Sequence, residues 1–505
     1  MPESYIKRIL DARIYDVASE TPLDAAPALS KRFGNQILLK REDLQPVFSF
    51  KVRGAYNRLL QLNAAERAQG VIAASAGNHA QGLALASAHL GIDATIVMPT
   101  TTPAIKVNAV RARGAKVVLH GDTFDEASTH AQALVAERGL IFIHPFDDPD
   151  VIAGQGTVAM ELLRQHPGDL DAVFIPVGGG GLAAGMAAYI KYVRPGIKVY
   201  AVEPQDAACL AAAMEAGEPA NLSHVGIFAD GVAVARIGKE TFRVLRDTID
   251  GVITVSTDEI CAAIKDIFED TRSIAEPAGA LGLAGLKKYI EQQGARGQAL
   301  ATVVSGANTN FDRLRYISER TEIGEKREAV LAVTIPEEAG SYLRFCRDLG
   351  SRAVTEFNYR YANNGAAHIF VGLQVSTDAD RQQMLDELRQ RDYQVADLTD
   401  NEMAKLHIRY MVGGRVQGLD DEVVYRFEFP ERPGALLQFL ECLAGRWNIS
   451  LFHYRNHGAA YGRVLVGLQV PEGERDLLRE TLAGLHYPFW EETQNPAYQF
   501  FLGNG

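Results

Sequence analysis

The chain has 505 residues, 47% hydrophobic and 23% charged, with 46 glycines and a formal net charge of −12. That length exceeds what one compact core accommodates, so two or three domains are expected, and the composition is ordinary for an α/β protein. The acidic balance, offset by no local basic stretch, excludes a nucleic-acid partner but still allows a phosphorylated cofactor held by backbone amides.

The N-terminal MPESYIKRILDARIYDVASETPL carries charges every few residues and lacks an apolar signal core. No run approaches the ~20 apolar residues of a membrane helix. Cys209, Cys261, Cys346 and Cys442 are far apart and fit neither a zinc spacing nor a disulfide framework. No His/Cys/carboxylate cluster has metal-ligand spacing. The expectation is a soluble cytoplasmic protein with reduced thiols, no membrane partner and no metal.

Along the first 315 residues or so, β-branched runs alternate with helical periodicity, which predicts helices packed on largely parallel sheets. The first strand is QILLKR (36–41), and FSFKVRGAYNRLL (48–60) follows it. Lys51 stands there between Phe50 and Val52. It reads either as a surface lysine with its stem along apolar neighbours or as a partly desolvated amine, a better nucleophile and base. GVIAAS (70–75) is the next strand and runs into AASAGNHAQG (73–82), where Ser75, Ala76, Gly77 and Asn78 open a helix. Free amides there suit a carboxylate; an ordinary cap with Asn78 as capping residue is the other reading.

ATIVMP (94–99) and AKVVLH (115–120) continue the alternation, and AVFIPV (172–177) leads into four glycines, Gly178 to Gly181, before a helix beginning near Leu182. Such a loop turns successive N–H groups around a phosphate at the positive end of a helix. Gly178, Gly180 and Ala183 also satisfy the dinucleotide pattern G-x-G-x-x-A, and Glu203, ending KVYAVE (198–203), lies 23 residues after Gly180. An NAD-dependent dehydrogenase is therefore the rival on motif alone. After GVITVS (251–256), the strand ALATVVS (299–305) ends in Ser305, which opens SGANTN and reads as a turn serine or as a hydroxyl on the floor of a site.

SERTEIGEKRE (318–328) holds seven charges in eleven residues, a composition expected to stay outside any core and to mark a domain boundary. Beyond it the sequence repeats. IPEEAGSYLRFCRDLG (335–350) answers FPERPGALLQFLECLAG (429–445), and NYRYANNGAAHIFVGLQV (358–375) answers HYRNHGAAYGRVLVGLQV (453–470), offset by 94 and 95 residues. Each copy reads strand, helix, strand, strand, helix, strand. In each, a strand ending at Pro336 or Pro430 is followed by a turn with Gly340 or Gly434 and then an amphipathic helix. Glycine allows a small ligand close approach there, with Leu436, Leu437 and Phe439 as candidates for coupling it to helix packing. Pairing of the two units for packing alone is the competing reading.

SFKVRGAY, ASAGNHAQG, PVGGGGLAAG and SGAN, in this order and separation, resemble the fold-type-II pyridoxal-phosphate enzymes. REDLQPVFSFKVRGAY is especially similar to the biosynthetic threonine dehydratases among them, and the doubled repeat resembles their paired ACT-like regulatory domains. The resemblance implies two open α/β subdomains forming a catalytic domain over 1–320, then two ferredoxin-like α+β ACT-like repeats over 328–400 and 422–495. It implies pyridoxal 5'-phosphate as cofactor, joined to Lys51, with Asn78 at the ring oxygen and Ser305 at the pyridine nitrogen. Gly178, Gly179, Gly180, Gly181 and Leu182 would hold the phosphate, and Ser75, Ala76, Gly77 and Asn78 the substrate carboxylate. The implied reaction removes water and ammonia from L-threonine, and secondarily L-serine, as the first committed step of isoleucine biosynthesis. Isoleucine would be the feedback inhibitor, with valine a second effector, and the assembly a homotetramer. Amino-acid racemases of this group carry serine where Ala76 stands, so racemisation is expected to be minor. A serine dehydratase or β-replacement enzyme on the same scaffold is the alternative; the dehydrogenase and a catalytically silent amino-acid sensor are more distant ones.

Overall fold

All eight segments read as strands are strands in the computed structural model, which describes residues 3–311, 313–350, 352–361, 366–406, 408–410, 416, 419, 421–430, 434–443, 445–455 and 461–502. The chain divides into two units, Met1–Gly324 and Glu325–Gly505.

The first unit carries ten strands: β1 (Leu23–Ala25), β2 (Gln36–Arg41), β3 (Val71–Ala74), β4 (Ala94–Met98), β5 (Lys116–Leu119), β6 (Ile141–Phe142), β7 (Ala172–Pro176), β8 (Lys198–Pro204), β9 (Gly251–Val255) and β10 (Ala299–Val304). They form a larger sheet in the order β1-β2-β10-β7-β8-β9 and a smaller one in the order β5-β4-β3-β6. Every pairing is parallel except that of β1 with β2. The central strands β3 and β7 are buried along their whole length because helices cover both faces, so they read as continuous apolar runs. The unexpected β1 and β6 have three and two residues, too few for any alternation to register.

Helices Lys51–Leu60, Asn78–Leu90 and Pro149–Gln165 approach one another backbone to backbone. A Cβ on Gly54 would lie 2.7 Å from the Val151 carbonyl, one on Gly154 2.7 Å from the Arg53 carbonyl, and one on Gly82 3.0 Å from the Val52 nitrogen. A buried ion cluster fixes the first and third of these helices to β2. Arg53 bonds Glu42 at 2.7 Å and Glu161 at 2.5 Å, Lys40 bonds Glu161 at 2.7 Å, and all four side chains are 0% exposed. Burial pushes the Glu161 carboxyl up, but Arg53 and Lys40 outweigh it and hold the group below its usual range.

The charged stretch 318–328 departs from expectation. Its first part lies in the helix Arg313–Gly324, which buries Ile317, Arg320, Thr321 and Ile323 against the first unit. The charges are accommodated pairwise, Arg320 with Asp258 at 2.9 Å and Lys265 with Glu322 at 3.0 Å. Only after Gly324 does the chain pass to the second unit.

There the strands are β11 (Glu328–Pro336), β12 (Val354–Arg360), β13 (Ala366–Gln374), β14 (Gln394–Asp397), β15 (Glu422–Pro430), β16 (Asn448–Arg455), β17 (Tyr461–Gln469) and β18 (Phe489–Glu491). Helices Ser341–Asp348 and Asp378–Gln390 belong to the first repeat, Ala435–Leu443 and Arg475–Ala483 to the second, so each repeat has the expected split βαβ order. One sheet, β14-β11-β13-β12-β16-β17-β15-β18, runs through both copies. The join is the antiparallel pair β12–β16, with Phe357 opposite Tyr454 and Tyr359 opposite Phe452. Residues 362–365 and 456–460 of the repeated segments lie outside the described residues. No helix among the described residues is long and apolar enough to cross a membrane.

Replacing Glu161 by Ala leaves two buried cations short of a carboxylate, and we expect the first unit to lose about 3–5 kcal/mol. Circular dichroism in denaturant should report the loss, while fluorescence of Trp447 and Trp490, both in the second unit, serves as internal control. Because the native Glu161 value is depressed, its contribution is full above the ordinary carboxylate range and is lost as pH falls through that depressed value. The difference between wild type and variant should therefore shrink in acid.

Candidate active site

In parallel α/β sheets, ligands sit at the carboxyl ends of the strands. The loops leaving β2, β3, β7 and β10 carry every candidate of the first unit. The β2 and β10 loops are tied together: Ser49 bridges to Gly306, the Ala307 N–H donates to the Phe48 carbonyl at 2.9 Å, and the Phe50 N–H to the Ser305 carbonyl at 3.3 Å. Lys51 opens its helix beside this junction. Its amine donates to the Pro145 carbonyl at 3.1 Å and lies 5.3 Å from the Phe50 ring. Burial brings the amine down to about 8, opposed by the Glu276 carboxylate. An amine bonded to the Pro145 carbonyl beside this junction favours the desolvated reading over the surface one.

Phe146, next to Pro145, lies against the glycine loop that follows β7. A Cβ on Gly179 would come within 2.2 Å of its ring, and Gly180 has φ +92°, a left-handed conformation that favours glycine. The Thr241 hydroxyl holds the Gly179 carbonyl at 2.7 Å. Among the described residues, none of the N–H groups from Gly178 to Leu182 donates to another backbone carbonyl outside the helix, and all five stand at the start of helix Gly181–Val193. That donor set suits a phosphate.

In the β3 loop, the N-cap position of helix Asn78–Leu90 is Gly77, which has no side chain to cap it. Asn78 is thus not the capping residue. Its Nδ2 donates to Glu276 at 2.5 Å and its Oδ1 accepts from Asn308 at 2.7 Å. Ser75 Oγ accepts from the Ala80 N–H at 3.3 Å, and Ala76 lies beside it in the turn. His79 donates from Nε2 to the Ile143 carbonyl at 3.1 Å; burial and the Lys51 charge drive it to about 3, so it stays neutral. Ser305 is buried and donates to the Ala278 carbonyl at 3.2 Å.

Glu276, Asn308 and the Pro145–Phe146 pair belong to this site without having stood out in sequence. Burial, with Asp230 adding to it, raises Glu276 to about 7. The only local signal was an acid placed directly before the proline that opens a glycine-spaced helix, Pro277–Gln293. Glu203 has another task. Its two oxygens accept from the N–H groups of Leu210 and Ala211, at 2.7 and 2.9 Å, which caps the helix Cys209–Ala216. A carboxylate engaged in this way cannot bind a ribose, and the dinucleotide reading loses its acid. Among the described residues no cluster could hold a metal ion.

In the second unit the two glycine turns differ. Gly340 has φ +92° and an added Cβ would meet the Gly445 Cα at 3.9 Å, whereas Gly434, φ +84°, has nothing within 4 Å. Beside Gly340 opens a cavity of about 830 Å³, lined by Ala339, Arg446, Asn448, Gln469, Glu474 and Leu477 among others. It offers a cation, two carboxylates (Asp421 and Glu474), two amides and an apolar wall. Phe439 is not there; it is buried among Phe427, Phe429 and Phe452. Leu436 and Leu437 pack against that same core.

Known proteins share this architecture. Residues 14–306 match the family of pyridoxal-phosphate-dependent enzymes, and residues 319–408 and 413–502 each match the C-terminal regulatory domain of threonine dehydratase. The fold and the lysine–glycine-loop site therefore define a pyridoxal-phosphate-dependent enzyme with a doubled regulatory region. The chain is 56% identical over 501 residues to the L-threonine dehydratase biosynthetic IlvA of Burkholderia multivorans, covering 99% of both. The processed form of threonine deaminase isoform 2 from Solanum lycopersicum superposes with a TM-score of 0.62 at 50% identity, over 63% of this chain and 93% of that one. Maize serine racemase gives 0.59 at 34% identity, over 62% and 95%. The chain belongs to the biosynthetic threonine dehydratase family.

Gly179→Ala would drive a methyl group into the Phe146 ring, and overpacking of about 1–3 kcal/mol should weaken cofactor retention roughly tenfold or more. Titrating the apoprotein with pyridoxal phosphate and following the visible band measures it; unchanged affinity would remove the glycine loop from the phosphate site.

Proposed function

We propose that the chain converts L-threonine to 2-oxobutanoate and ammonia, and L-serine more slowly, under inhibition by isoleucine. The observation that carries this reading is the Lys51 amine on the Pro145 carbonyl, whose neighbour Phe146 packs against the Gly178–Leu182 loop at a helix N-terminus.

Gly178, Gly179, Gly180, Gly181 and Leu182 would hold the cofactor phosphate, and Asn78 and Ser305 would bond its ring. Bound pyridoxal phosphate supplies a conjugated ring that accepts the electron pair left when the substrate Cα–H bond breaks. Lys51 would carry the cofactor and take the Cα proton; with a value of about 8, a useful fraction of the amine is unprotonated near neutral pH. The turn Ser75–Asn78 holds the substrate carboxylate at the helix N-terminus, which orients the Cα–H toward Lys51. Loss of the β-hydroxyl as water and a later hydrolysis balance, so threonine yields 2-oxobutanoate and ammonia with no net water. Ser305 is a neutral hydroxyl, and a site without a carboxylate at the ring nitrogen favours rapid elimination over long-lived carbanions. Ala76 has no hydroxyl to deliver a proton to the opposite face, which disfavours racemisation.

Isoleucine, and valine more weakly, bind the second unit near the Gly340 turn, where Arg446 suits a carboxylate, Glu474 an ammonium and Leu477 an aliphatic side chain. The enzyme works in the cytoplasm, in keeping with four free cysteines, and assembles as a homotetramer.

Lys51→Ala should lose both turnover and the visible band of the lysine-bound cofactor while the fold persists; turnover surviving in that variant would refute the assignment. A chain ending at Gly324 should release 2-oxobutanoate from threonine and ignore isoleucine. Full-length enzyme should respond with a shift equivalent to about 1–3 kcal/mol of coupling, and inhibition persisting in the truncated form would place the sensor elsewhere.

A further inference from the structure

The hydrogen bonds around Asn78 run in one consistent direction. The Val47 carbonyl only accepts, so Asn308 presents its NH2 group to it at 2.8 Å. The same NH2 group lies 2.7 Å from the Asn78 amide, which must answer with its oxygen. The Asn78 NH2 is then the group that faces the Glu276 carboxylate, at 2.5 Å. Reversing Asn78 would set its oxygen against a carboxylate and its NH2 against another NH2, two repulsions in place of two bonds.

Glu276 is placed to hold the Asn78 amide, beside its attraction for the Lys51 amine and the backbone N–H of Asn308. It occupies the N-cap position of helix Pro277–Gln293 yet makes no side-chain cap bond, the usual task of a polar residue there. Its side chain is instead turned inward and buried, and its N–H donates to the Gly306 carbonyl at 3.1 Å. Gly306 leaves the room: a Cβ there would come within 2.6 Å of Glu276 Oε1. The second N–H of the Asn78 amide has no acceptor among the described residues.

We propose that Glu276 and Asn308 are positioning residues that lock the Asn78 amide in a single orientation, so that an N–H and not the carbonyl oxygen faces the reaction centre. The proposal rests on the reading of Asn78 as the partner of the cofactor ring oxygen. A ring oxygen carrying negative charge is stabilised by a donor and repelled by an acceptor, so the lock sets the electronic state of the bound ring. Neither residue needs to touch substrate to do this.

The test uses the full-length holoenzyme and the variants Glu276→Gln, Glu276→Ala and Asn308→Asp. Two readouts are taken: the absorbance maximum of the lysine-bound cofactor, and kcat and KM for threonine. Gln still accepts from Asn78, so Glu276→Gln should keep the band and a kcat close to wild type. Glu276→Ala frees the amide and Asn308→Asp removes the donor to its oxygen. Both should shift the band and lower kcat about 10- to 100-fold with little change in KM. If both keep the wild-type band, or if Gln fails to restore what Ala loses, the lock is wrong. Should Glu276→Ala not fold, Asn308→Asp, which preserves side-chain volume, decides by the same band. A wild-type chain that binds no cofactor would instead overturn the site assignment beneath the proposal.

Discussion

Arg53 lies two residues after Lys51, and its guanidinium is saturated by Glu42 from the β2 loop and Glu161 from helix Pro149–Gln165. Taking four charged side chains out of water is costly unless they satisfy one another, so this arrangement tolerates little displacement of any element that contributes. It fixes the start of the Lys51 helix against β2 and against the helix beneath it. Gly54 and Gly154 let those two helices close to backbone contact, which removes the remaining freedom of translation. Lys51 itself is thereby delivered to the Pro145 carbonyl without any strong bond of its own beyond that one. A reactive amine benefits from this arrangement: it is held by its backbone, while its head group stays available and lightly solvated.

The rest of the site is built from loops that the two sheets bring within reach of that amine. Each loop supplies a different kind of group: unpaired amides after β7, a directed side-chain amide after β3, a neutral hydroxyl after β10. The buried acids near them have divided roles. Glu203 is raised to about 7 by burial, as Glu276 is, but spends both oxygens on a helix end, whereas Glu276 leaves its helix end uncapped and faces Asn78. Similar perturbation in two carboxylates thus accompanies a structural task in one and a site task in the other, and only their partners tell them apart.

In the regulatory unit a sequence repeat has become a near-symmetric sheet with asymmetric surroundings. Arg360 of the first repeat reaches across the β12–β16 join to Glu422 of the second and to the Leu502 carbonyl at 2.8 Å. Glu337 accepts from Asn448 across the same join at 3.2 Å. The turn at Gly340 touches Gly445 of the second repeat and borders the cavity, while a Cβ at Gly434 meets nothing within 4 Å. The two related turns therefore have different surroundings.

Much of this was legible beforehand. Parallel strands leave β-branched, largely apolar runs of four to seven residues, and all eight such runs in the first unit were readable. The glycine loop, the SFKVRGAY lysine and the doubled split βαβ pattern were legible because each is encoded over a few consecutive residues. The two shortest strands of the first unit and the buried part of the charged stretch were not, since two or three residues show no period and a paired charge looks like a solvated one. Glu276, Asn308 and the Arg53 cluster were hidden for the same reason: their meaning lies in partners that are distant along the chain, 198 residues away for Asn78 and Glu276 and 108 for Arg53 and Glu161. Sequence alone singled out the candidate amine, the candidate amides and the repeat, because those depend on neighbours in the chain. Which carboxylate serves the site, which way an amide points and which glycine turn is open were decided only by tertiary packing, because hydrogen-bond direction and burial are properties of the assembled interior.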